Sequence, residues 1–216
     1  MIKKDTQGVT FAKGFTAAGV KAGIKKSGNL DVAVIYTKTQ AVVAGTFTQN
    51  KVAAAPVYVS KEVVATGTAH AIVANAGCAN ACTGQQGLDD AHKMAQIAAD
   101  ELGVNADDVI VGSTGVIGVN LPMDKLEAGI KDAVANLSAD GSGNAGRAII
   151  TTDTHSKSVT CEFELSGKTV RMGAIAKGSG MIRPNMATML CYITTDIAID
   201  QALLQKAVSG CVEKSF

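Results

Sequence analysis

Three stretches of the chain collect the residues best suited to chemistry. Gly112-Ser113-Thr114-Gly115-Val116-Ile117-Gly118 follows the apolar run Val109-Ile110-Val111, so its backbone N–H groups could face an anion. The glycine spacing is not G-x-G-x-x-G and no P-loop lysine follows, so a tight strand-to-helix connection explains the glycines equally well. Lys177-Gly178-Ser179-Gly180 also lacks the order of a phosphate loop and reads, taken alone, as a loop after a hairpin. Asn75-Ala76-Gly77-Cys78-Ala79-Asn80-Ala81-Cys82-Thr83-Gly84 has a C-x-x-x-C spacing with His92 downstream. Structural zinc wants four ligands at motif spacing, which this stretch does not supply. Its amide side chains are expected instead to pin a buried loop through backbone hydrogen bonds. His70, His92 and His155 stand apart from one another, and Ser113, Ser142 and Ser179 are not in a G-x-S-x-G elbow.

The surrounding elements must position these residues. Short β-branched runs at Val32–Tyr36, Ala41–Phe47, Val57–Val59 and Ala71–Ala74 predict strands of a buried sheet. Leu88, Ala91, Met94, Ala95, Ala98 and Leu102 recur at helical spacing, with Gly103 placed to cap the helix. A strand at Val109–Val111 leads through the Gly112 turn into a second helix, with Pro122 and Asp124 in its first turn and Met123, Leu126, Ile130 and Ala133 on one face. Gly141-Ser142-Gly143-Asn144 predicts a flexible break. Alternation on either side of Ser166-Gly167 predicts a hairpin ending at Lys177. Thr188–Thr194 predicts another strand, followed by a helix capped by Asp200 that carries Leu203, Leu204, Ala207, Val208 and Cys211 on its apolar face. Strand, glycine turn and helix in succession define an α/β class.

Composition narrows the function. The chain has 216 residues, 47% hydrophobic and 18% charged, with net charge +1, which excludes intrinsic disorder and a disulfide-stapled miniature scaffold. Twenty basic against nineteen acidic residues, no Trp and 4% aromatics provide neither a basic stripe nor a stacking platform, so nucleic acid is not an expected partner. No apolar run approaches the ~20 residues of a membrane span, and the N-terminus lacks a signal-peptide segment, so a cytoplasmic protein is expected. Five cysteines without a framework spacing read as reduced thiols.

The stretch from Lys177 to Leu190, Lys-Gly-Ser-Gly-Met-Ile-Arg-Pro-Asn-Met-Ala-Thr-Met-Leu, resembles the self-cleavage region of the ArgJ family, the glutamate N-acetyltransferases also called ornithine acetyltransferases. Gly14 to Lys25, Phe47 to Val57, Asn75 to Gly84, Gly112 to Gly118 and Thr151-Thr152-Asp153-Thr154 resemble further segments of that family in its own order. The resemblance implies a DmpA/ArgJ-like α/β fold of mixed sheets layered with helices. It also implies cleavage between Ala187 and Thr188, with Thr188 as the nucleophile and Thr114 and Gly115 as the oxyanion hole. Thr151 and Lys177 are implied as substrate contacts. No metal or prosthetic cofactor is implied, although some members also accept acetyl-CoA.

Freed by cleavage, the Thr188 α-amine, with a reference pKa of about 7.7 to 8.0, would serve as base; Lys177 would need a downward shift of roughly three units to compete. The reaction implied is acetyl transfer from N-acetylornithine to glutamate. Family precursors continue well past the nucleophile, so residues 1–187 correspond to the alpha chain and 188–216 to the start of the beta chain, with the second half of the architecture missing. The complete assembly implied is a heterotetramer of two alpha and two beta chains, and the present sequence alone is expected to show little or no activity. Two other classes fit the same residues: a self-processing aminopeptidase or amidase in which water deacylates Thr188, and a non-catalytic binding partner. Phe11-Ala12 and His155-Ser156 depart from the family pattern without touching the nucleophile.

Overall fold

A computed structural model of the chain describes residues 2–4, 7–179 and 189–215. In chain order the described elements are β1 (Ile2–Lys4), β2 (Phe15–Val20), β3 (Val32–Val42), α1 (Ala55–Thr66), β4 (Thr68–Cys78), α2 (Gly84–Leu102), β5 (Val109–Val116), α3 (Met123–Ala135), α4 (Ser142–Ala148), β6 (Lys157–Leu165), β7 (Lys168–Lys177), β8 (Leu190–Thr195) and α5 (Gln201–Ser215). The strands form two four-stranded sheets, ordered β2-β3-β4-β5 and β1-β6-β7-β8. The α/β class is therefore observed, with the first sheet mixed and the second antiparallel. β4 and β5 run parallel, joined through the 19-residue α2, and the other pairs are antiparallel.

Alternation along β3 explains the layering. Val32 and Val34 join the core beneath α1, α2 and α3, whereas Ala33 and Ile35 join a second core containing Ala145, Ala148 and Ile149 around α4 and Ile175 of β7. The first sheet is thus buried on both faces, which is why its strands read as nearly continuous apolar runs. On β5 the same period sends Val109 and Val111 toward the helices and Gly112 and Thr114 toward the second sheet.

Several expectations need correction. Val57–Val59 lies in α1: Pro56 sits in the first turn, and Val59, Ser60 and Val63 are buried at helical spacing. Ser60 Oγ donates to the Val111 carbonyl at 2.6 Å and accepts the Val111 N–H at 3.0 Å, a tertiary tie that outweighs local β propensity. The strand from Val32 continues to Val42 but not to Phe47, and β2 was not anticipated. Gly112 to Gly115 is no turn, because β5 continues to Val116, and Pro122 is the N-cap of α3. The expected break at Gly141–Asn144 is the start of α4, whose Ser142 Oγ accepts the buried Val9 N–H at 2.9 Å.

Gly103 does close α2 in a left-handed conformation, and the hairpin turns at Ser166-Gly167. Asp200 Oδ1 accepts the Ala202 and Leu203 N–H groups, as an N-cap should, but no residue of α5 is buried and Leu203 is 60% exposed. No described helix is long and apolar enough to cross a membrane.

Candidate functional site

The two sheets meet around one ammonium group. The inward face of β7 carries Ile175 and, at the strand end, Lys177, which is only 4% exposed. Opposite it, Thr114 projects from β5, and Lys177 Nζ donates to Thr114 Oγ1 at 2.9 Å and to Thr151 Oγ1 at 3.1 Å. Burial pulls the Lys177 ammonium below the ordinary lysine range; Asp153 opposes this and Lys157 reinforces it. The hydroxyl of Thr114 accepts from the lysine, so its own proton can point away, toward a ligand oxygen.

Glycine lets the strands converge here. Gly115 stands opposite Gly77 with φ +137°, and a Cβ on it would collide with the Gly77 carbonyl carbon. On the other face of β5, Ser113 Oγ donates to Asn75 Oδ1 at 2.6 Å, and Asn75 Nδ2 donates to the Cys78 carbonyl at 3.0 Å. Asn75 and Asn80 are fully buried, and Asn80 Nδ2 donates to the Gly87 carbonyl at 2.7 Å. The amides pin backbone as expected, although Asn75 to Cys78 belongs to strand β4 rather than to a loop.

Two further charged groups border Lys177. Asp153 Oδ1 accepts from Lys157 Nζ at 2.6 Å and from the Gly178 N–H at 2.9 Å, while its Oδ2 is buried without a hydrogen-bond partner. Burial raises the Asp153 carboxyl pKa, but Lys157 together with the Gly178 and Thr151 N–H groups outweighs it and leaves the group below its usual range. Lys25 Nζ donates to the carbonyls of Leu30 at 2.6 Å and of Ala148, at the end of α4, at 3.3 Å. Its ammonium is also pulled down by burial, with Asp31 opposing and Lys177 adding to the effect. Asp31 itself is fully buried and accepts three backbone N–H groups, from Ala22, Ile24 and Lys25, which fixes the loop that delivers Lys25.

Of the residues singled out in the sequence, Thr114, Thr151 and Lys177 are brought together, and Gly115 is adjacent on β5. Ala187 and Thr188 lie outside the described residues. Leu190, two residues after Thr188, is the register partner of Lys177. Asp153, Lys157 and Lys25 received no role from the sequence, although Asp153 stands in the Thr151–Thr154 motif and Lys25 in the Gly14–Lys25 segment. Of the histidines, exposed His155 stands in the Thr151–Lys157 segment with its Nδ1 3.1 Å from Thr154 Oγ1, and the other two are elsewhere. His70 Nδ1 meets the Thr37 carbonyl at 3.0 Å, and His92 lines a cleft of about 420 Å³ between α1 and α2 that includes none of the residues around Lys177. Among the described residues no cluster of three or more His, Cys, Asp or Glu is arranged to hold a metal ion.

Comparison with known proteins gives consistent results. The sequence model of the ArgJ family matches residues 16–216. The arginine biosynthesis bifunctional protein ArgJ of Symbiobacterium thermophilum is 50% identical over 211 residues, covering 97% of this chain and 52% of that protein. The chain thus spans about half the length of the curated relatives it matches. Among solved structures, the ArgJ protein of Bacillus halodurans superimposes with a TM-score of 0.79 at 42% identity, covering 87% of this chain and 98% of that one. The ornithine acetyltransferase of Mycobacterium tuberculosis, crystallised with ornithine, gives a TM-score of 0.78 at 43% identity, covering 84% and 97%.

Proposed function

Because the chain belongs to the ArgJ family, we propose that it supplies the first part of a self-processing acetyltransferase in which Thr188 ferries an acetyl group from N-acetylornithine to glutamate. The observation that carries this reading is the Lys177 ammonium bridging Thr114 and Thr151 between the sheets, at the strand end paired with Leu190. The crystallised relatives support a divided polypeptide, because this chain covers 97% to 98% of them but only about half of the curated proteins.

In the first step Thr188 Oγ attacks the carbonyl carbon of Ala187. The hydroxyl proton passes to the Thr188 nitrogen, the C–N bond breaks and an ester forms. Water then hydrolyses the ester, leaving the Ala187 carboxylate, the regenerated hydroxyl and a free α-amine on Thr188. The chain is thereby divided into 1–187 and a second chain beginning at 188. The amine has a reference pKa of about 7.7 to 8.0 and takes the hydroxyl proton when Thr188 attacks the acetyl group.

The oxygen of the tetrahedral intermediate is received by the Thr114 hydroxyl and the Gly115 N–H. Lys177, donating to Thr114, turns that hydroxyl outward and adds positive charge. Lys177 and Thr151 also contact the substrate. The acetyl C–N bond breaks and ornithine leaves with the proton held by the α-amine. The glutamate amine then attacks the acetyl ester and gives up a proton that returns to Thr188 Oγ, so that the hydroxyl is regenerated as N-acetylglutamate is released. These groups complete the chemistry without a metal or prosthetic cofactor, and the working assembly pairs two copies of each chain.

The test uses the polypeptide as its gene encodes it. Intact-mass spectrometry is expected to show a product beginning at Thr188, and label from N-acetylornithine is expected in N-acetylglutamate. Thr188→Ala should remain uncut and transfer nothing; transfer by that variant would remove Thr188 from the mechanism.

A further inference from the structure

The hairpin β7–β8 closes on a pair of residues beyond its last register partners. Lys177 pairs with Leu190, and a Cβ built on Gly178 would lie 3.6 Å from Met189 Cγ. Gly178 and Met189 therefore form the base of the β7–β8 connection, whose sequence contains the bond between Ala187 and Thr188. One side chain from outside the hairpin holds this base: Asp153, whose Oδ1 accepts the Gly178 N–H at 2.9 Å.

Asp153 is an unusual choice for a simple loop anchor. Its side chain is fully buried, it is charged, and one of its oxygens has no hydrogen-bond partner. A buried carboxylate oxygen without a donor destabilises the fold, and a neutral acceptor would hold a backbone N–H with less desolvation. Lys157, whose side chain is 40% exposed, compensates on one side only, at the same Oδ1 that binds Gly178. Lys157 and the Gly178 N–H thus share the oxygen that grips the hairpin base, and the Thr151 N–H further favours the charged carboxylate.

We propose that Asp153 is a positioning residue for self-cleavage: by holding the Gly178 N–H it fixes the base of the connection whose sequence carries the bond between Ala187 and Thr188. The inference rests on the self-processing reading above and assigns Asp153 no contact with the reacting atoms. A nucleophile displaced by about an ångström from its line of attack loses up to a hundredfold in rate, so a loosened base slows the acyl shift without unfolding the protein.

The experiment follows cleavage between Ala187 and Thr188 by intact mass after synthesis of the polypeptide as its gene encodes it, beside thermal melting of each variant. Asp153→Ala should cut at least about tenfold more slowly, whereas Asp153→Asn, which still offers Gly178 an oxygen, should stay within about threefold of the unaltered chain. Both should melt within a few degrees of it. An alanine variant that cuts within twofold of the unaltered rate overturns the proposal, as does an asparagine variant as slow as alanine. If the alanine variant does not fold, Lys157→Met decides: it leaves the bond between Asp153 and Gly178, so cleavage within about threefold supports the clamp and a tenfold loss overturns it. Failure of the underlying reading looks different: an unaltered chain that never cuts at Thr188 removes both ideas together, while normal cutting with insensitivity to Asp153→Ala removes the clamp alone.

Discussion

Replacing Lys177 by methionine separates the energetics of the site from its chemistry. The ammonium makes two charge-assisted hydrogen bonds, to Thr114 and Thr151, each worth about 1.5 to 3 kcal/mol. Against these stands the several kcal/mol required to take an ammonium out of water at a residue only 4% exposed, a cost visible in its lowered pKa. Thr151 is exposed and can bond to water instead, while Thr114, 7% exposed, loses a donor. The opposing contributions nearly cancel. Lys177→Met is expected to change stability by no more than about 2 kcal/mol, within roughly 6 °C in Tm for a domain of this size.

On the proposed mechanism, acetyl transfer by the full gene-encoded polypeptide should fall much further, by about 10²- to 10³-fold, because the Thr114 hydroxyl would lose the group that orients it toward the oxyanion. The pH dependence provides a second reading. A lysine whose folded pKa lies below its unfolded value of 10.5 binds fewer protons when folded, so stability rises with pH between those two values. The unaltered chain should therefore gain stability relative to Lys177→Met as pH rises through the lowered folded-state pKa toward 10.5. Thermal melts across that range, with kcat measured on the same samples, test the argument. A loss above about 4 kcal/mol, a stability difference that does not grow with pH, or activity within threefold would refute it.

Gly115→Ala should lower stability by about 3 kcal/mol or more, read as a fall in Tm of roughly 6 to 12 °C, because φ +137° disfavours a side chain and its Cβ would strike the Gly77 carbonyl carbon. An unchanged Tm would contradict the close approach of β4 and β5. Tyr192→Phe should stabilise the protein by about 1 kcal/mol in denaturant titration, since the Tyr192 hydroxyl is buried against Gly112 without a partner. A destabilised variant would reveal a bond to that hydroxyl. Alkylation at pH 8 followed by peptide mapping should label the exposed Cys82 and Cys211 first, while Cys191, with its thiol pushed up to about 11 by burial, reacts slowly. Early labelling of Cys191 would show that β8 is less buried than described.

How much could be read in advance depended on the range of the interactions. Helix α2, its glycine cap and the β6–β7 hairpin are each specified by neighbours within a few turns or across one tight turn, so spacing alone located them. Val57-Tyr58-Val59 misled because its residue types favour a strand, while Pro56 and the distant Ser60–Val111 pair hold it in a helix. Gly112 and Gly115 misled for a related reason. Glycine commonly marks a turn, but these two permit close approach inside β5, to Tyr192 and to Gly77.

The sequence by itself determined the α/β class and the family, and it singled out Thr114, Thr151 and Lys177 as candidates, because those rest on local patterning and on motifs that survive as strings of residues. Only the tertiary structure decided that Lys177 reaches both hydroxyls, that its ammonium is desolvated, and that Asp153 grips Gly178, 25 positions away. Burial and proton affinity are properties of a three-dimensional environment assembled from two sheets, and no single strand carries enough of that environment to reveal them.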